Sequence, residues 1–229
     1  MRSAYFNRFP LAAALCAAAL TLAATPATAQ TTVFDNGNPN GVGIWDSDPS
    51  GFLLSAEDFT LTATTTFDTV RWYGAYGDIA PPATDTFTIS FFDTTSGIPD
   101  ALPRTGETFA VGDSVTRVNG VGVGRFPGYV HEATLSSPVT MGAGTFAISI
   151  VNDTTADTER VWFWLTSAQT GSHFDRTTPN DTFASRTNTL AFQLINTPTV
   201  VPESGTVALL LPAFFVIGGT FIARRRSGK

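Results

Sequence analysis

The chain has 229 residues, 43% of them hydrophobic and only 14% charged, which is enough for one domain with a sizeable core plus appended segments. Between residues 30 and 200, seven arginines and no lysine stand against 18 carboxylates, a balance of −11 that argues against nucleic acid or anionic lipid as a partner. Cys16 is the sole cysteine, so no disulfide framework is available.

Residues 1–29 have the parts of a secretory signal peptide. Arg2 and Arg8 form the positive region, Leu11–Leu22 the apolar region, and Ala27-Thr28-Ala29 a small-x-small cleavage site. Leu15 precedes Cys16 where a lipoprotein would need a small residue, so the cysteine is expected to leave with the signal peptide.

The next 170 or so residues (30–200) read as one all-β domain, a single β-sandwich or jelly roll built from short strands rich in Thr, Val, Ile and Phe. Phe67–Tyr73, Thr86–Phe92, Tyr129–Leu135, Thr145–Val151 and Leu190–Ile195 are the predicted strands. In the second, Phe87, Ile89 and Phe91 share one face; Phe146, Ile148 and Ile150 do so in the fourth, and Leu190, Phe192 and Leu194 in the fifth. Turns are expected at Ser96–Asp100, Asn119-Gly120, Ser137-Pro138 and Pro179-Asn180-Asp181.

The chain closes on three features in order. Val201-Pro202-Glu203-Ser204 is followed by an uncharged apolar run from Val207 to Ala223, then by Arg224, Arg225, Arg226 and Lys229. The run, residues 207–223, is at the short end of a transmembrane helix, and the arginines after it would hold that end in the cytoplasm. In this order the segment 201–229 resembles the PEP-CTERM sorting signal, with motif positions 202–204, a transmembrane helix at 207–223 and a basic tail at 224–229. Ser204 stands where that family has a second proline. The resemblance implies export through the inner membrane, processing by an exosortase, and a final place at the cell surface or in an extracellular matrix associated with exopolysaccharide.

The ectodomain is similar to a recurring domain of PEP-CTERM proteins of unassigned biochemistry. Phe34–Gly37, Phe91-Phe92-Asp93 with Ser96–Pro99, Ile148–Asp153, Trp162-Phe163-Trp164 and Leu190–Leu194 carry the likeness, and they bring no catalytic residues with them.

Site candidates are few, and no residue is assigned a catalytic role. His131 reads as an exposed strand residue beside Glu132, and His173 as a solvated loop residue; neither adjoins a nucleophile motif. A glycosidase would need two carboxylates, for which Asp46/Asp48, Glu57/Asp58 and Asp153/Asp157/Glu159 are the local clusters, each equally readable as a solvated face. Calcium is the alternative use of such oxygens: Asp35-Asn36-Gly37-Asn38 with Asp46 and Asp48, or Asn152-Asp153 with Asp157, against the plainer reading of turn residues. For polysaccharide, Trp72, Tyr73, Tyr76, Trp162 and Trp164 are the candidate rings, with core packing as the ordinary explanation. The expectation is a non-enzymatic surface protein associated with exopolysaccharide. A carboxylate-dependent glycan hydrolase and a purely structural matrix protein are the alternatives.

Overall fold

The computed structural model describes residues 30–77 and 80–197, so the signal peptide and the sorting tail predicted from sequence lie outside the described residues. Gln30–Thr197 packs as one compact unit. Its strands are β1 (Thr31–Asp35), β2 (Pro39–Asp46), β3 (Leu54–Leu61), β4 (Thr65–Tyr76), β5 (Phe87–Thr95), β6 (Ile98–Pro99) and β7 (Thr108–Ala110). After these come β8 (Thr116–Val123), β9 (Phe126–Met141), β10 (Gly144–Asn152), β11 (Trp162–Ser167), β12 (Ser172–Arg176), β13 (Ala184–Thr187) and β14 (Phe192–Asn196). The described helical segments are single 3₁₀ turns, so the fold is all-β, with no helix among the described residues long and apolar enough to cross a membrane.

Two curled antiparallel sheets form a barrel- or sandwich-like body. In the first, the long β4 pairs along one edge with β9, which carries β8. Its other edge is shared: β14 takes Thr69–Trp72 and β11 takes Gly74–Tyr76, with β1 and β2 outside them. The second sheet runs β13-β12-β3-β10-β5, with β6 and β7 both on β5.

The expected alternation places the main core between these sheets. Phe87, Ile89 and Phe91 of β5, Ile148 and Ile150 of β10, and Leu190, Phe192 and Leu194 at β14 are all buried there, each apolar side chain worth about 1.5–3 kcal/mol of transfer free energy. A second, smaller core of Tyr73, Ala75, Leu165 and Ala191 lies on the other face of the first sheet, covered by Ile44, Val123, Phe126 and Val130. That second core explains why β11 is apolar on both faces: Trp162 and Trp164 belong to the main core and Leu165 to the other.

Two predicted turns are strand instead. Asn119-Gly120 lies within β8, paired to Tyr129 and Gly128, and the hairpin turns at Gly124 (φ +58°). A Cβ at Gly128 would collide with the Val121 carbonyl, so these glycines allow close backbone approach rather than a reversal. Ser137-Pro138 lies inside β9, where the register with β4 slips between Phe67 and Thr69; this bulge accommodates the proline without a ladder donor. Ser96-Gly97, by contrast, is the turn expected, with φ of +54° and +76°.

Thr31 pairs with Asn196, so both ends of the described domain lie at one end of the body. At the opposite end of β4, Tyr76 pairs with Trp162, seven residues or about 23 Å beyond the Thr69–Ile195 pair. The loops at that far end carry the site described next.

Candidate functional site

The far end is held by Asp48. Its side chain is buried and accepts four hydrogen bonds: Oδ1 from the backbone N–H of Ser50 (2.9 Å) and Thr154 (3.3 Å), Oδ2 from Thr154 Oγ1 (2.5 Å) and the Trp162 N–H (2.9 Å). An aspartate before Pro49 is a natural cap, its carboxylate satisfying N–H groups that a short turn leaves over. Here it also ties the loop to the segments after β10 and at the start of β11. An Asp48–Leu53 bridge closes the loop, and the Phe52 N–H donates to the Pro49 carbonyl.

Phe52, at the tip, departs from ordinary chain behaviour twice. Its backbone is left-handed, φ 67° and ψ 18°, a conformation that costs a bulky residue about 1–3 kcal/mol. The residue is 77% exposed, the only exposed aromatic residue among the described ones. Earlier in the same loop, Ser50 Oγ donates to Thr154 Oγ1, since that hydroxyl's proton is already given to Asp48. The next residue, Asp153, lines an open groove of about 530 Å³ with Asp85, Thr86, Phe87, Thr88, Val111 and Ser114. Strained, exposed residues on a rigid scaffold recur at binding sites.

The sequence-nominated residues lie elsewhere. Trp72, Tyr76, Trp162 and Trp164 are fully buried, and Tyr73 keeps 9% exposure, so these rings offer no open face to a sugar. Trp72 stacks on His131 with centroids 5.5 Å apart, Trp162 meets Phe87 edge-on at 5.0 Å, and Trp164 Nε1 donates to the Ala191 carbonyl. Tyr73 donates to Asn38 Oδ1. Tyr76 donates to Asp85, whose other oxygen takes the Arg117 guanidinium at 2.9 Å; Asn152 joins the same network. Burial first, then the Asp85 charge, raises the Tyr76 pKa above the usual phenol range.

The proposed calcium ligands do not gather either. Asp35 and Asn36 precede β2 while Asp46 ends it, and that strand alone spans about 23 Å. Asp35 accepts from the Gly37 N–H and Gln193, Asn36 donates to Glu57 and the Leu190 carbonyl, and Asp48 is saturated as described. Asp46 is the exception, with a buried Oδ1 that has no partner. Burial, and then the neighbouring Asp48 charge, push its pKa up to about 7. Of the second set, Asn152 is committed to the Tyr76–Asp85 network and Thr86, Asp153 Oδ1 accepts from Thr155, and Asp157 pairs with Arg160.

Both histidines are buried, contrary to their reading as exposed residues. His131 shares the inward parity of Tyr129, Ala133 and Leu135, so Glu132, not His131, faces out, where it meets Arg71. Burial, assisted by the Arg117 charge, lowers the His131 pKa to about 3, so it is neutral. His173 faces Glu57 across the β12–β3 pair and donates Nδ1–H to the Asn188 carbonyl (2.9 Å); burial lowers its pKa as well. Glu57, pushed well up by burial, accepts from Asn36 (3.0 Å) and from the Leu190 N–H (2.7 Å). Both Asp48 and Glu57 are thus buried and spent on backbone, hydroxyl and side-chain amide donors inside the fold.

Comparison of the chain with protein-family models, with curated proteins and with solved structures returns no match.

Proposed function

We propose that this is an exported, surface-sorted, non-enzymatic component of the cell envelope or extracellular matrix that associates with polysaccharide. The signal-peptide pattern of residues 1–29 and the PEP-CTERM-like order of 201–229 support export, residence at the inner membrane, and handling there by an exosortase. One structural observation carries the display role. The two ends of the described domain lie together at one end of it, and the Asp48-clamped loops lie at the opposite end. The net −11 of residues 30–200 favours neutral over anionic polymers.

The burial of the nominated tryptophans favours a second reading, a purely structural matrix protein without a ligand. Fractionation separates the two. Removal of Val201–Lys229 should shift the protein from envelope to soluble fractions, and the intact chain should co-sediment with the producing cell's exopolysaccharide. Unchanged envelope association after the deletion would defeat the sorting reading; absence of co-sedimentation would leave the structural one.

A further inference from the structure

We infer that Asn180 is a glycosylation site, its side-chain amide accepting a glycan from a lipid-pyrophosphate donor on the far side of the inner membrane. This rests on the export reading above and adds a covalent modification to it. The sequence contains two Asn-x-Thr triplets without proline at the middle position, Asn152-Asp153-Thr154 and Asn180-Asp181-Thr182. The two read identically, so only the fold separates them. Transfer needs two groups open at once: the asparagine amide, which forms the new bond, and the hydroxyl two residues on, which completes the recognised triplet. In the first triplet both are engaged. Asn152 is fully buried; its Oδ1 accepts from the Thr86 N–H at 2.9 Å, and its Nδ2 faces Tyr76 and Asp85 at 3.2 and 3.3 Å. Thr154 gives its hydroxyl proton to the buried Asp48 carboxylate.

In the second triplet both groups are open. Asn180 and Thr182 are exposed, and neither side chain makes a hydrogen bond among the described residues. A turn presents them: the Asp181 N–H donates to the Thr178 carbonyl (3.2 Å), which leaves Pro179 and Asn180 as the two central residues. The Asp181 carboxylate fastens the start of the turn, accepting from Thr177 Oγ1 (2.7 Å) and the Thr178 N–H (3.0 Å). Phe183 fastens its end, buried with its ring 4.3 Å from the Arg176 guanidinium and edge-on to Phe92 at 5.5 Å. The turn joins β12 to β13, and β13 is the outermost strand of its sheet, exposed at every residue. Such a margin is where a bulky, solvated modification fits without disturbing the core. In the transfer, Asn180 Nδ2 bonds to the anomeric carbon of the first sugar as the bond from that carbon to the pyrophosphate oxygen breaks. The lipid pyrophosphate leaves with the electron pair, and one Nδ2 proton passes to a base of the transferring enzyme.

The test is peptide mass spectrometry of the full chain purified from the producing cell, beside its Asn180→Gln, Thr182→Ala and Thr182→Ser variants. Trypsin cuts after arginine and so separates the two triplets, one in residues 126–160 and the other in residues 177–186. The expected result is a sugar mass on 177–186 that fragments to Asn180, with 126–160 bare. That mass should be lost in Asn180→Gln and Thr182→Ala and kept in Thr182→Ser, which restores the hydroxyl. A bare 177–186 peptide from a chain that has lost residues 1–29 would overturn the inference and leave the export reading standing. A chain that retains residues 1–29, with both peptides bare, would overturn both. Sugar on Asn152, or a sugar mass on 177–186 that survives Asn180→Gln, would place the attachment elsewhere and overturn the inference.

Discussion

Asp48→Asn is the substitution on which the account of the far end depends most directly. The change removes one oxygen and one charge and alters the shape little. The surviving amide oxygen can keep two of the four bonds while the new NH₂ faces the other two donors. The less costly orientation sets it against the Trp162 N–H and Thr154 Oγ1, since that hydroxyl can turn to accept. The Trp162 N–H is then stranded in the interior at about 1–3 kcal/mol, and the two bonds kept lose their charge assistance, about 1 kcal/mol more. The total, about 2–4 kcal/mol, corresponds to a midpoint lowered by roughly 5–15 °C for a domain of this size. Buried Trp72, Trp162 and Trp164 make tryptophan fluorescence in a denaturant series the natural assay. Asp153→Asn, on an exposed side chain in a local turn, serves as the control and should cost under about 0.5 kcal/mol. An Asp48→Asn chain as stable as its parent would refute the reasoning, because it would mean that desolvating the carboxylate cancels all four bonds.

Trp72→Ala should destabilise by about 3–5 kcal/mol and leave the polysaccharide affinity of the folded chain unchanged, since the ring is buried against His131 and Phe87. Loss of affinity at unchanged stability would return Trp72 to a binding role. His131 predicts an acid-side loss. With its pKa lowered to about 3, the folded chain binds fewer protons than the unfolded one below about 6.5, so its contribution is complete above that pH and falls by about 3 kcal/mol by pH 4. Asp46 and Glu57, raised by burial, act in the opposite sense: what they contribute is present at low pH and is lost as pH rises, for Asp46 between about 4 and 7. The parent-minus-His131→Leu stability difference should therefore shrink from pH 7 to pH 4; a flat difference would show that His131 is not held neutral.

Strand content and the apolar faces were legible because they depend on period alone. Tyr129–Leu135 shows how far that goes: the same alternation that marks a strand puts His131 inside with Tyr129 and Ala133, so its burial was readable wherever parity was trusted over residue type. Phe52 was not readable. Asp48-Pro49-Ser50-Gly51 announces a turn, but that the αL position falls on Phe52 instead of Gly51 follows from the Asp48 clamp and the packing of Asp46 against Gly51, where a Cβ has no room. Nor was the burial of both faces of β11, which depends on how the first sheet curls. Glycines 120 and 128 look like turn residues until the strands they bring together are known.

The carboxylates are where chemistry and architecture were most easily confused, and the structure separates them. Asp48 ties the loop after β2 to the segment after β10 and to β11, spanning both sheets. Glu57, on β3, reaches Leu190, two residues before β14, and Asn36, just after β1, in the other sheet. Asp85, just before β5, takes Tyr76 of β4 and Arg117 of β8. Each of these three acids thus clasps one sheet to the other, whereas the fourth buried acid, Asp175, pairs with Arg186 on the neighbouring strand of its own sheet. A domain without cysteine has no disulfides for that task, and hydrogen bonds to donors on the opposite sheet restrict sliding of the sheets in much the same place. Such clasps depend on geometry more than on charge: removing a partner strands a buried charge at about 3–5 kcal/mol, far more than any solvated surface pair is worth. The acidity of this domain therefore has two parts. Exposed carboxylates set its repulsion from anionic polymers, and the buried ones hold its sheets in register beneath the loop that carries Phe52.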